Sequence, residues 1–424
     1  MPDADPQPTP PASRPSWLAR QRALPRDARR YLWGASLMGV GYGATWVHLN
    51  LFYKASGLGE HAIGTLLAVT SIGGTLVALP AAALVERFPT GRILALASLG
   101  FSVTLALQLL VPFVPFPALH LALWGLISFA SGVLFTIHHV AAAPFFMRAV
   151  PDDMRADLFG VAQAVETAAT LFGGLGVGYI ADGLTPALGS EAASLRVGLL
   201  AAAVATLPAV LAFLRIENVP TAQAHTHWLA PLRIENKGLL FRLTFPAAVV
   251  GLGAGLTIPF LNLYFRDRFA LDPGQIGETF ALGQVLTTGA FLAGPIVARR
   301  IGTVAAIVGT ELASIPFFLV LAFAHSLPWA VAAFWMRSAL MQMNQPISTA
   351  FALEQVPESQ RAAVNSVRHV AWNLAWAAST QVGGVWIAAS GHTPPMLATV
   401  GLYVIASASF WWFFGRGRPA VSGR

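Results

Sequence analysis

The sequence predicts an all-α membrane protein of twelve transmembrane helices, arranged as two parallel six-helix repeats. Three observations predict it. The chain is 55% hydrophobic and 11% charged, less than half the roughly 25% charge of a soluble domain. Apolar runs long enough to cross a bilayer, about 20 residues each, recur along its length. One stretch also occurs twice: GVGYGATWVHLNLFYK (Gly39 to Lys54) and GLGAGLTIPFLNLYFR (Gly251 to Arg266) lie 212 residues apart in a chain of 424. Gly39, Gly41 and Gly43 match Gly251, Gly253 and Gly255, and LNLFYK matches LNLYFR. A duplication with the same residue classes in the same order is a statement about fold.

The spans read as helices, because only helices and closed barrels satisfy the backbone in lipid and no alternating strand pattern is present. In the first half they fall at 31–53, 60–85, 92–111, 118–147, 158–182 and 195–214. In the second half they fall at 239–265, 275–298, 303–324, 329–353, 363–390 and 396–415. Residues 1–30 are rich in Pro and Arg, lack the apolar core of a secretory signal, and read as a disordered cytoplasmic tail. Polar residues 215–238 read as a cytoplasmic linker between six-helix bundles at 31–214 and 239–415, with a short C-tail at 416–424. Gly and Pro mark the short outer turns: Ser56 to Gly59, Pro112 to Pro117 and His325 to Pro328.

Charge orients this arrangement. If the N-terminus is cytoplasmic, that side receives the N-tail arginines, Arg87, Arg92, Arg148, Arg155, Arg215, Arg233, Lys237, Arg242, Arg299, Arg300 and Arg361. The other side receives only Lys54, Arg196, Arg266 and Arg268. This asymmetry places both termini in the cytoplasm of a multi-pass plasma-membrane (inner-membrane) protein. The net charge of +7 is explained by topology and implies no nucleic acid. The absence of cysteine excludes disulfides, iron–sulfur clusters and thiolate metal sites. No cofactor is expected.

The repeat runs on past its opening. Ile63-Gly64 matches Ile276-Gly277, VPDDMRA (Val150 to Ala156) matches VPESQRA (Val356 to Ala362), and Gly178 aligns with Gly384. Six spans per half keep both copies in one orientation, so the repeats are related by an axis along the membrane normal. The loop after the second span reads Ala82-Ala-Leu-Val-Glu86-Arg87-Phe-Pro89-Thr-Gly91-Arg92. With the repeat and the central linker, it resembles motif A of the major facilitator superfamily. Ala82, Glu86 and Pro89 stand where that motif has Gly, Asp and Gly. The resemblance covers about residues 30–415 and implies a secondary transporter working by alternating access, with the first, fourth, seventh and tenth spans lining the cavity. It also implies a cytoplasmic gate at Glu86, Arg87 and Arg92, whose carboxylate meets the positive N-terminus of the eleventh span. The family's antiporter signature has a Gly-Pro pair in the fifth span; Phe172 to Gly178 carries no proline. The basic residue that some of its drug exporters carry in the fourth span is also missing.

Several intramembrane polar residues are functional candidates by their cost in lipid. Glu166 lies about nine residues into the fifth span and can exchange a proton; the alternative is a structural hydrogen bond. His138 and His139 are adjacent on the fourth span, so at most one faces the cavity squarely. His138 and Glu166 are the candidates for proton coupling. His48 and Asn50 lie near the outer end of the first span, and the recurrence of Asn50 as Asn262 points to a symmetric structural role. The tenth span carries Arg337, Gln342, Asn344 and Gln345, and the eleventh carries Arg368, His369, Asn373 and Gln381. Of these, His48, Arg337, Asn344, Gln345, Arg368 and Asn373 are the candidates for the substrate cavity. A deep arginine can clamp a carboxylate or phosphate; Arg337 can equally neutralise Glu311 of the ninth span. Paired glycines four residues apart, Gly39/Gly43, Gly174/Gly178 and Gly251/Gly255, read as close helix packing.

These features favour a monomeric, proton-coupled transporter of a small organic solute in a lipid bilayer, with export of a drug-like or metabolite molecule preferred. The alternative is uptake or exchange of a polar organic anion through Arg337 and Arg368. A non-transporting sensor would append a signalling domain, and both tails are short and polar. An enzyme would need a clustered constellation that the scattered polar residues do not offer. No phosphate-binding loop is present for direct ATP drive.

Overall fold

A computed structural model describes residues 24–150, 152–217 and 236–415. Among these residues there are thirteen α-helices and no strands. The first half comprises α1 (Arg26–Ala55), α2 (Glu60–Arg87), α3 (Thr90–Leu110), α4 (Pro117–Ala149), α5 (Asp152–Leu188) and α6 (Glu191–Leu214). The second half comprises α7 (Lys237–Thr257), α8 (Leu261–Phe269), α9 (Pro273–Ile301), α10 (Thr303–Phe323), α11 (Leu327–Glu354), α12 (Glu358–Ser390) and α13 (Thr393–Phe414). A 3-10 turn, Ile258–Phe260, joins α7 to α8. The two make one path, so the chain follows the expected twelve crossings.

The helices overrun the expected spans. The expected disordered tail gives way to helix at Arg26, where Asp27 in the first turn meets the positive helix end. Arg30 bonds Asp27 at 2.7 Å, and Asp27 accepts the backbone N–H of Glu217 at 3.1 Å. The linker expected at 215–238 falls mostly outside the described residues; its last two, Lys237 and Gly238, open α7 behind an Asn236 cap that accepts from Leu239 N at 2.9 Å. The C-tail 416–424 lies outside them. Length and apolarity alone mark eight helices as membrane-crossing, or nine when α9, bent by 43°, counts as one. The others, α1, α11 and α12, carry most of the polar candidates, as expected of helices that face protein or water rather than lipid.

Among the described residues, the buried core joins the halves at one end. The largest buried cluster draws Leu51, Phe52, Ile63 and Val177 from the first half and Phe260, Leu263, Phe265, Ile276 and Ile387 from the second. At the far end the core divides. One cluster, around Tyr31, Phe145 and Phe213, belongs to the first half alone. The other, around Leu243, Ile347 and Phe410, belongs to the second. Between residues whose side chains are described, the hydrogen bonds and ion pairs linking the halves also lie at the sealed end.

The sequence repeat builds this seal twice over. Asn50 Nδ2 donates to Pro259 O at 2.8 Å, and Asn262 Nδ2 donates to Val47 O at 2.8 Å; all four residues are buried. Each asparagine thus binds the carbonyl three residues before its counterpart. Glycines bring the backbones together in the same reciprocal way. A Cβ on Gly64 would stand 2.9 Å from Thr380 O, and one on Gly277 would stand 2.9 Å from Gly174 O. These contacts fix α2 against α12 and α5 against α9. Charges finish the rim: Lys54 bridges Glu60 and Asp267, Arg266 pairs with Glu191, and Asp182 accepts from the Gly274 N–H at the start of α9 at 3.0 Å.

Candidate functional site

Glu166 lies in the first half, where α1, α4 and α5 meet. Gly39 lets α1 approach so closely that a Cβ there would lie 2.7 Å from Glu166 O. The residue that meets the Glu166 carboxylate is His139, with Nε2 3.5 Å from Oε1; both side chains are partly exposed, 41% and 25%. His139 Nδ1 lies 3.0 Å from the carbonyl of Phe135. A carbonyl only accepts, so Nδ1 carries a proton. A neutral imidazole would then turn its bare Nε2 lone pair toward a carboxylate. At 3.5 Å the two groups stand within ion-pair reach, and a proton placed on Nε2 would point at the carboxylate. Tyr42 and Phe135 form the aromatic wall, with ring centroids 5.6 and 4.1 Å from that of His139.

His138 points elsewhere. It is buried in the first half, 5.5 Å from the Phe213 ring and 6.1 Å from the Tyr42 ring, with Nδ1 unpartnered. Adjacent helical residues diverge by roughly 100°, and here that angle separates a packing histidine from a cavity histidine. His48 is also buried, and its Nε2 donates to Gly174 O at 2.7 Å, tying α1 to α5.

The second half holds a different set. Arg337 is buried; its Nη2 donates to Tyr403 OH at 3.1 Å and its guanidinium lies 4.8 Å from the centre of the Phe318 ring. It does not pair with Glu311. That carboxylate accepts from Asn344 Nδ2 at 3.0 Å and from Ser407 Oγ at 2.7 Å. Arg337, Asn344 and Glu311 therefore lie in a buried polar core between α10, α11 and α13, in which the Glu311 carboxylate is bonded on both oxygens and Arg337 Nε has no partner. Gln345, one residue on, is exposed. Arg368 is half-buried with Nε unpartnered. It sits roughly 160° around α12, at 100° per residue, from Gly384, which faces α2. Asn373 is half-buried and lies 3.3 Å from His369 Nδ1. Arg87 and Arg92 are exposed beyond the seal, and the Glu86 side chain lies outside those described.

The repeat register relates the two sites. Counting from the matched VPDDMRA and VPESQRA loops, His138 corresponds to Asn344 and His139 to Gln345. In each pair the first residue is buried in its own half and the second is exposed. Glu166 corresponds to Trp372, which stacks on Trp376 at 4.9 Å. At this matched position the carboxylate is therefore found in the first half alone. The sequence reading selects His138 for proton coupling; the fold buries His138 and sets His139 beside Glu166.

Two helical halves, joined among the described residues at one end and each carrying polar groups at membrane depth, have the architecture of a polytopic secondary transporter. Its family follows from the sequence: the profile of the Major Facilitator Superfamily matches residues 31–380 and 243–424. The chain belongs to the Major Facilitator Superfamily. A comparison with curated protein sequences gives no match. Among solved structures, it is similar to the nucleoside transporter NupG, at 14% identity and TM-score 0.72, over 92% of this chain and 100% of that one. It is also similar to a bacterial homologue of the iron transporter ferroportin in its inward-facing state, at 13% identity and TM-score 0.76, over 92% of this chain and 99% of that one. The same homologue facing outward superposes at 0.62, with 15% identity over 92% and 100% of the two chains. A bacterial homologue of the human lysosomal transporter Spinster, inward-facing and occupied, matches at 14% identity and TM-score 0.75, over 93% and 98% of the two chains. At these identities the likeness is one of fold.

Proposed function

We propose that this chain exports a small amphipathic organic solute across the plasma membrane in exchange for protons. The observation that carries the reading is the His139–Glu166 contact, a histidine and a carboxylate side by side and partly exposed. A proton arriving from one side and leaving on the other can be held there during the conformational change. Tyr42 and Phe135 offer aromatic faces to the solute, and Gln345 and Asn373 offer amides. The positive-inside asymmetry supports placing the sealed Asn50–Asn262 end outward and both termini in the cytoplasm. Uptake of an organic anion finds less support: Arg337 is committed to Tyr403 and Phe318, and Arg368 faces away from α2.

A thermal-shift screen of the purified protein against lipophilic cations, sugars and organic anions identifies the solute. A ligand at 100 times its Kd stabilises the fold by about 2.7 kcal/mol. In proteoliposomes, Glu166→Gln and His139→Gln are expected to abolish proton-driven transport while leaving solute–solute exchange. Equal loss of both activities in folded protein would reject the proton role.

A further inference from the structure

The four helices that meet across the two halves, α2, α12, α5 and α9, share a pattern that the seal does not use. Beyond the glycines that touch, each carries a polar pair four residues apart on the same face. On α2 it is Ser71 and Thr75, in line with Gly64. On α12 it is His369 and Asn373, continuing the face of Thr380 and Gly384. On α5 it is Gln163 and Thr167, below Gly174 and Gly178. On α9 it is Gln284 and Thr288, below Gly277. The repeat register makes the α2 and α9 pairs counterparts, and likewise the α5 and α12 pairs.

All eight side chains are exposed or half-exposed. The bonds described for them stay within their own helices: Ser71 Oγ to Leu67 O at 3.1 Å, Thr75 Oγ1 to Ser71 O at 2.8 Å, and Thr288 Oγ1 to Gln284 O at 2.9 Å. Gln163 Nε2 reaches Thr167 Oγ1 at 3.4 Å, and Asn373 reaches His369 at 3.3 Å. Polar side chains at membrane depth are costly on a lipid face, and Leu374, Val382 and Val385 of α12 are exposed and apolar. The polar pairs keep to the face between the halves.

We infer that these four pairs form the second seal of the transport cycle. Extending the antiparallel register of the closed glycine contacts sets Ser71 and Thr75 opposite Asn373 and His369. The same extension sets Gln284 and Thr288 opposite Thr167 and Gln163. When the sealed end opens and the far end closes, these side chains exchange bonds along their own helices for bonds across the halves. The inference rests on the alternating-access reading of the family and is independent of solute and proton.

The test uses spin labels, which this cysteine-free chain accepts at chosen sites. Labels at Phe88→Cys and Arg361→Cys, exposed near the far ends of α2 and α12, report that end as a short distance when closed and a long one when open. Thr75→Val with His369→Leu is expected to lower the closed fraction roughly three- to tenfold, the equivalent of one lost hydrogen bond. Gln163→Leu with Thr288→Val should do the same, and the exchange Thr75→His with His369→Thr should restore it. A closed fraction unchanged in both double variants overturns the proposal, as does a native protein that never shows the short distance. Neither result bears on Glu166, because the readout requires no transport.

Discussion

Removing the reciprocal asparagine bonds should open the sealed end by an amount the structure allows to be worked out. Asn50→Ala and Asn262→Ala each delete a 2.8 Å bond to a carbonyl of the other half, buried at the seal. When that end opens, amide and carbonyl alike pass to water, so the loss falls on the sealed state alone. Between membrane helices such a bond contributes about 0.6 kcal/mol on average; leaving a buried carbonyl without its donor costs about 1–3 kcal/mol. The double variant should therefore shift the equilibrium by about 1.2 to 6 kcal/mol, roughly 8- to 25,000-fold at 1.36 kcal/mol per decade. A cysteine at Ala181, which is fully buried in the cluster that joins the halves, reports the shift. Its reaction with a membrane-impermeant maleimide should quicken by that factor. A change of less than about threefold in the double variant would refute the assignment of these bonds as the latch.

Placement supplies two more expectations. A Cβ at Gly384 would lie 2.5 Å from Glu60 O, and one at Gly178 would lie 2.7 Å from Pro273 O. Because the obstacles are backbone atoms, Gly384→Val or Gly178→Val should hold the sealed end open to maleimide at Ala181→Cys; Gly176→Ala, with open space around it, should not, and a normal seal in the valine variants would contradict the packing. Arg337→Lys keeps the charge and loses the guanidinium over Phe318, so the melting temperature should fall by several degrees while solute affinity stays within about twofold; a tenfold loss of affinity at unchanged melting temperature would return Arg337 to the cavity.

Much of the fold was legible because the chain states it twice. The glycine and LNLFYK matches marked the halves, and Asn50/Asn262 was correctly set apart as a symmetric pair. The seal itself was not legible, since no single-chain pattern says that each asparagine reaches the carbonyl before its counterpart. Polarity misled in the tenth span. Arg337 and Asn344 look like cavity residues because intramembrane charge invites that reading, but a helix has more than one polar-tolerant face, and Tyr403 and Ser407 on α13 supply partners that are distant in sequence. Glu166 was legible by its isolation. Its partner was not, because His138 and His139 differ only in which way one helical step turns them.

The paired asparagines also bear on how the two halves came to be one molecule. A contact in which residue i meets j, and the copy of i meets the copy of j, is the isologous arrangement of a two-fold homodimer. Val47–Asn262 and Pro259–Asn50 have that form inside a single polypeptide. A half-length chain carrying the Gly39 to Lys54 stretch would present donor and acceptor on one surface and could clasp its own twin. Within one polypeptide the two copies need not stay alike, and Glu166 stands where the second half has Trp372.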